Sequence, residues 1–305
     1  MTTTSTRADA SGALKGRKRS GGWTGWAFVG PFMLVFMVVF VAPVLYAFYL
    51  SLFQNQMVGG DKFVGGANYL QALADPQFWD SVIRVVVFLV VQVPFMLFLA
   101  LSAALALDSG RLHASSFFRI SVFLPYAVPA VVATLMWGFI YGPRFGLFGS
   151  VNEFFGLNLP EPLSSSWVLA AIGNINTWEF TGYNMLIFYS ALKVIPGELY
   201  EAANIDGAGP LRVIRSIKLP SIRGAIGIAS IFSVIGSFQL FNEPNILKAL
   251  APNSISSYFT PNMYAFNLSF AGQQFNYAAA ISIIMGVLTV IVAYIVQISG
   301  SRKDA

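Results

Sequence analysis

The sequence predicts an all-α membrane protein with six transmembrane helices, and three observations carry that prediction. Of 305 residues, 56% are hydrophobic and 10% charged, with a mean hydropathy of +0.67; a soluble domain carries about 25% charged residues. Residues 20–60, 85–107, 120–143, 224–242 and 249–301 contain no Asp, Glu, Lys or Arg at all. These runs are continuous rather than alternating, so helices rather than barrel strands must satisfy the backbone in lipid.

A helix crosses about 30 Å of hydrocarbon in about 20 residues. On that measure the spans fall at 26–50, 81–107, 117–141, 167–192, 223–241 and 275–298. The first follows Lys15, Arg17, Lys18 and Arg19, but its apolar stretch is longer than the roughly 7–15 residues of a signal peptide. It reads as an uncleaved span. The third contains Pro125 and Pro129 and the second Pro94, which predict kinks. The fifth is short and rich in small residues, with Gly224, Gly227, Ser230, Ser233 and Gly236 along one stripe. Pro252, Pro261 and polar residues 253–257 predict a loop through the first half of the run after Ala249. The domain reading is therefore a basic tail (1–25), a membrane domain (26–298) with a large loop at 193–222, and a short tail (299–305).

Lys and Arg set the orientation. With six spans, fourteen of the eighteen fall on the side holding both termini, leaving Lys62, Arg84, Arg144 and Lys248 opposite. Both termini and the 193–222 loop are predicted to be cytoplasmic. The net charge of +5 then reports topology and gives no support to a nucleic-acid partner. There are no cysteines, so disulfides and thiol chemistry are excluded, and His113 stands alone in a short loop. No metal-ligand cluster and no catalytic residues are predicted.

The loop at 200–220, YEAANIDGAGPLRVIRSIKLP, mixes both charge signs between long apolar segments. Pro196 and Gly197 end the fourth span, and residues 198–206 read as a short helix. Gly207 suits a left-handed cap, and Pro210 opens a second helix. Arg212, Arg215 and Lys218 recur at three-residue spacing as one basic stripe, while Leu199, Ala202 and Ala203 share a face of the first helix. Pattern alone admits two readings: a helix pair lying on the membrane surface, or a knob for a soluble partner.

This stretch resembles the EAA loop of binding-protein-dependent ATP-binding-cassette (ABC) importers, whose signature runs E-A-A, three residues, G, nine residues, I-x-L-P. Glu201, Ala202, Ala203, Gly207, Ile217, Leu219 and Pro220 keep that spacing, and Asp206-Gly207-Ala208 matches the associated DGA. Softer similarities to the maltose-type carbohydrate permeases lie in FLPYAVPAVVATLMW (123–137), FQLFNEPNIL (238–247) and FNYAAAIS (275–282). The resemblance implies a permease core of spans two to six, with span one against a neighbouring subunit. It implies as partners a second homologous permease, two cytoplasmic ATPases and an external solute-binding protein. It also implies import of a carbohydrate, with a lean toward a di- or oligosaccharide. No G-x-x-x-x-G-K-[ST] occurs, so this chain is read as having no cofactor, with ATP and magnesium belonging to the partner ATPases. Glu201, Ala202, Ala203, Asp206, Gly207, Leu219 and Pro220 are then the residues that couple to those ATPases.

A neutral sugar needs amides, hydroxyls and aromatic faces. Asn176, Glu179 and Tyr183 share one face of the fourth span, with Thr177, Thr181 and Asn184 on an adjacent one and Trp178 nearby. Gln239, Asn242 and Glu243 sit near the end of the fifth. Each serves either as solute contact or as helix–helix glue, a role such residues fill at about 1 kcal/mol or less. Two other functions stay in view. A secondary transporter running on an ion gradient would show internal repeats, which are absent here. The other is a permease of the same architecture for a non-sugar solute, such as phosphate or an amino acid; an anion path would carry mid-span Arg or Lys, and none is present.

Overall fold

The computed structural model describes residues 21–56, 60–110, 112–143 and 146–301. The basic residues of the N-terminal tail, and Arg302 and Lys303, lie outside them. The chain divides into two units, 1–46 and 47–305.

In the first unit, helix α1 (Gly21–Phe36) passes through a π turn at Met37–Val41 into α2 (Ala42–Ser51), which continues into the second unit. The stretch Gly25–Ser51 is helical over 27 residues and holds an 18-residue window of mean hydropathy 2.6.

The second unit opens with an antiparallel hairpin, β1 (Phe53–Gln56) against β2 (Gly60–Phe63), with Phe53 opposite Phe63. Asn68, on the following α3 (Ala67–Ala74), donates its amide to the carbonyls of Ser51 and Phe53, both at 2.8 Å. The hairpin is thereby fixed to the body. Helix α4 (Pro76–Asp108) is the longest, at 33 residues or about 50 Å, and stays one helix through Pro94.

The stretch 117–141 departs from a kinked span. It forms α5 (Ser115–Phe123), a 3-10 turn at Leu124–Ala127 and α6 (Ala130–Ile140), with a 96° bend between the pair. Pro125 and Pro129, four residues apart and neither with an N–H to donate, mark the break.

After α7 (Leu147–Phe155), helix α8 runs Val168–Lys193. The loop helices are α9 (Gly197–Ile205), α10 (Pro210–Val213), a π turn at Ile214–Lys218 and α11 (Leu219–Ser221). Then come α12 (Arg223–Phe238), α13 (Asn242–Leu247), α14 (Pro261–Phe270) and α15 (Phe275–Ser301). Pro261 opens α14 at a helix start where an interior breaker was expected, and the Thr260 hydroxyl caps it by accepting from the Met263 N–H.

Four described helices are long and apolar enough to cross a bilayer, or five if the bent pair counts as one. Helix α8 is not among them, because it carries Asn174, Asn176, Glu179 and Asn184.

Helix α4 enters all three buried clusters. Phe78, Val82 and Val85 pack with α12, α14 and α15. Phe88 packs with Ile172 and Ile175 of α8 and with Leu247 of α13. Ala100, Ala104 and Leu107 pack with Phe188 and Leu192 of α8 and with Ala229 of α12. The small Ala pair, one turn apart and fully buried, lets α8 approach closely. Arg84 of α4 is held by the Phe259 carbonyl at 2.8 Å, with its guanidinium 4.7 Å from that ring's centroid.

Both ends of α4 are held by an aspartate. At the start, Asp75 caps the helix by accepting from the Gln77 N–H at 2.9 Å. The same carboxylate accepts from the hydroxyls of Tyr264 on α14 (2.5 Å) and Tyr277 on α15 (2.7 Å). Partial burial pushes the Asp75 carboxyl up, but the two phenols and the Gln77 and Phe78 N–H groups outweigh it and leave the group below its ordinary value. A depressed carboxyl stabilises the fold above the unfolded value of about 3.9, and that contribution is lost as pH falls through the folded value. Asp75→Ala should therefore cost about 1–3 kcal/mol of stability near neutral pH. Thermal unfolding in detergent should show the gap between variant and wild type closing below about pH 3.9.

Candidate functional site

A cavity of about 380 Å³ opens inside the second unit, and each wall has a local cause. Helix α4 contributes Gln92 and Met96, half a helix away from its anchored ends. The Gln92 amide is 3.4 Å from both Asn176 Oδ1 and Thr177 Oγ1 of α8, so the two long helices meet here through polar groups.

The break between α5 and α6 contributes Tyr126. Because the chain turns there, the ring lies flat against Tyr183 of α8, with centroids 4.8 Å apart and planes 21° from parallel. Phe180 meets the same ring edge-on at 5.8 Å. Gly182 permits this approach, since a Cβ there would overlap the Val122 carbonyl oxygen and stand 2.7 Å from Phe123 Cα.

The fourth wall is the end of α12 and its link to α13. Helix α12 stops at Phe238, and α13 restarts at Asn242. Gln239, Asn242 and Glu243 therefore do not form one helical face as their spacing predicts, yet the turn delivers all three to the cavity. Phe232, Gly236, Gln239 and Asn242 are exposed, so the cavity is open on this side. A Cβ on Gly224, Gly227 or Gly236 would meet nothing within 4 Å among the described residues.

Asn176, Tyr183 and Asn184 line the cavity as the sequence places them, together with Phe180. Trp178 and Glu179 do not line it. Trp178 packs edge-on against Trp137 at 5.9 Å, and Glu179 is buried with one carboxylate oxygen unpartnered among the described residues. The hydroxyl of Thr181 returns to its own helix at the Thr177 carbonyl. Tyr126 is the residue that sequence reasoning missed, and two prolines flanking a tyrosine in an apolar run were the available signal. No Lys or Arg lines the cavity, and among the described residues no group of three metal-ligating side chains occurs.

On the loop between α8 and α12, α9 is closed by a Schellman motif. The Ala208 N–H donates to the Ala203 carbonyl at 2.8 Å, and Gly207 takes φ +70°. Glu201, Ala202, Asp206, Gly207 and Pro220 are exposed, while Ala203 and Leu219 are half-buried. The basic stripe is split: Arg212 and Arg215 face solvent, but Lys218 turns inward on the π turn to Asp108, the last residue of α4, at 2.7 Å. Lys193, at the end of α8, meets the other oxygen of Asp108 at 2.9 Å. The Lys218 Nζ also stands 5.6 Å from the Tyr200 ring centroid, and the Tyr200 hydroxyl is buried with no partner among the described residues.

Residues 69–304 match the family of binding-protein-dependent transport system inner membrane components. The chain belongs to that family. It is a transmembrane permease subunit of an ABC importer, in which hydrolysis of ATP belongs to separate subunits. The permease is 33% identical over 88% of its length, and 80% of the relative's, to the diacetylchitobiose uptake system permease protein NgcF of Streptomyces coelicolor. It is also 33% identical to the lactose transport system permease protein LacF of Rhizobium radiobacter, over 92% of this chain and 94% of that one. Its fold matches a chain in the crystal structure of a bacterial ABC transporter that imports alginate, with TM-score 0.80 and 18% identity. That match covers 92% of the permease and 96% of the other chain.

The Gly182 contact gives a direct test of the cavity's geometry. Gly182→Ala should force α5 from α8, lower stability by about 1–3 kcal/mol, and weaken the near-ultraviolet dichroism of the stacked Tyr126 and Tyr183 rings. Unfolding in detergent and near-ultraviolet circular dichroism report the two effects.

Proposed function

We propose that this permease carries a neutral di- or oligosaccharide across the membrane by alternating access, driven by ATPases bound at its 193–222 loop. One observation carries the reading: the two helices flanking that loop in sequence, α8 and α12, are also walls of the cavity. A force on α9 therefore reaches the solute path through α8 on one side and through α10, α11 and α12 on the other.

In this reading six segments cross the membrane, with α8 as the polar one and the bent α5–α6 pair as one crossing. Both termini and α9 are cytoplasmic. A second homologous permease packs beside this one, two ATPases holding ATP and magnesium bind below, and a solute-binding protein delivers the sugar from outside. Glu201, Ala202 and Ala203 enter a groove in one ATPase, and Gly207 with Asp206 sets the bend into the second helix, which Leu219 and Pro220 end.

The chemistry of the cavity supports a neutral carbohydrate. The stacked Tyr126–Tyr183 pair offers an apolar face to a sugar ring. Asn176, Asn184, Gln239, Asn242, Gln92 and Glu243 supply donors and acceptors for hydroxyls. An anionic sugar would meet Glu243 and no cation among the lining residues. The names of the relatives, which specify diacetylchitobiose and lactose, point the same way. Trp178 and Glu179 act behind this wall.

Uptake of a labelled panel of neutral disaccharides and uronate oligosaccharides, by a strain lacking the gene and complemented with it, tests the reading. Import of a neutral sugar should require ATP and survive collapse of ion gradients. Tyr183→Ala should lower that uptake at least tenfold with the complex intact. A Cβ on Gly207 has no atom within 4 Å among the described residues, and the strain of an aspartate at φ +70° stays local to the end of α9, so Gly207→Asp should leave membrane insertion normal while abolishing import and weakening co-purification of the ATPases. Normal transport by Gly207→Asp with the ATPases still bound would remove the docking assignment.

A further inference from the structure

The loop joins α8 and α12 covalently, but α4 also lines the cavity and has no covalent link to the loop. Beyond its packing against α8 and α12, the end of α4 reaches the loop itself through Asp108. The Asp108 side chain is 8% exposed and holds Lys193 at 2.9 Å and Lys218 at 2.7 Å. The three residues come from the end of α4, the end of α8 and the loop's second helical segment. Lys218 is itself only 12% exposed and lies over the Tyr200 ring of α9. One carboxylate thus joins the docking helix, the helix after it and two cavity walls.

We propose that Asp108 is a positioning residue for transport, tying α4 to the coupling loop so that displacement of the loop also moves Gln92 and Met96. This rests on the proposed function, since it takes the loop to be the point where force enters. The two lysines are unequal. Lys193 is 53% exposed, so water and salt screen its pair with Asp108. Lys218 is nearly buried, so its loss leaves the carboxylate without its shielded partner. A solely local stabilising role would weaken assembly. A coupling role instead leaves the complex assembled and hydrolysing ATP while sugar movement falls behind.

The test uses the whole complex, reconstituted with its ATPases and binding protein. Asp108→Asn and Lys218→Ala should keep the ATPases bound and hydrolysis within about twofold of wild type, and raise ATP consumed per sugar imported about tenfold. Lys193→Ala should change that ratio less than twofold, and Asp108→Glu should recover most of it. Because the chain has no cysteine, spin labels can be placed on Ser109→Cys and Ser216→Cys. Their separation should stay constant on nucleotide binding in wild type and lengthen or broaden in Asp108→Asn. An unchanged ATP-to-sugar ratio in Asp108→Asn, a parallel loss of hydrolysis and uptake, or a label separation that shifts as much in wild type would each overturn the proposal. Failure of the wild-type complex to import any sugar with ATP would instead overturn the function on which it rests. The label measurement then still reports on Asp108, because it needs bound nucleotide and no sugar.

Discussion

The close approach of α4 and α8 is the constraint on which the second unit depends. In lipid, apolar surface gains nothing by leaving its surroundings, so helices associate through fit and through the few polar groups they share. Ala100 and Ala104 supply the fit toward one end, against Phe188 and Leu192. Toward the other, Gly173 faces Phe88 and Gln92, at a spacing where a Cβ would sit in ordinary contact, 3.5 Å from Gln92 Cγ. Between those contacts Gln92 reaches Asn176 and Thr177. The same crossing that holds the bundle together therefore positions the first polar groups of the cavity.

Much of this was legible in the sequence because lipid imposes simple rules. Charge-free runs located the long helices, and the spacing of Pro196, Gly207 and Pro210 located α9 and its cap. Gly207 adopts the left-handed conformation that the pattern required. The breaks were less legible. Composition marks 117–141 as apolar, but whether two prolines kink a helix or fold it through 96° depends on what packs beside them. Here that neighbour is Gly182 of α8, distant in sequence.

The cavity divides in the same way. Helical spacing placed Asn176, Tyr183 and Asn184 on its wall, because α8 is regular. Glu179 and Trp178 lie outside its lining, because the rotation of a helix is set by its neighbours and a polar residue can face either way. Tyr126 and Asp108 were missed for a related reason. One depends on a broken backbone and the other on partners 85 and 110 positions away, Lys193 and Lys218.

The unclosed side of the cavity has a consequence for how substrate choice evolves. A ring seated on Tyr183 would show its far face past Phe232 and Gly236, where a Cβ on Gly236 has no neighbour within 4 Å among the described residues. With the proposed second permease packed on this side, recognition would be split across a seam, and the discriminating hydroxyl contacts would belong jointly to two gene products. Exchange of one half would retune the menu of accepted oligomers without any mutation in the other.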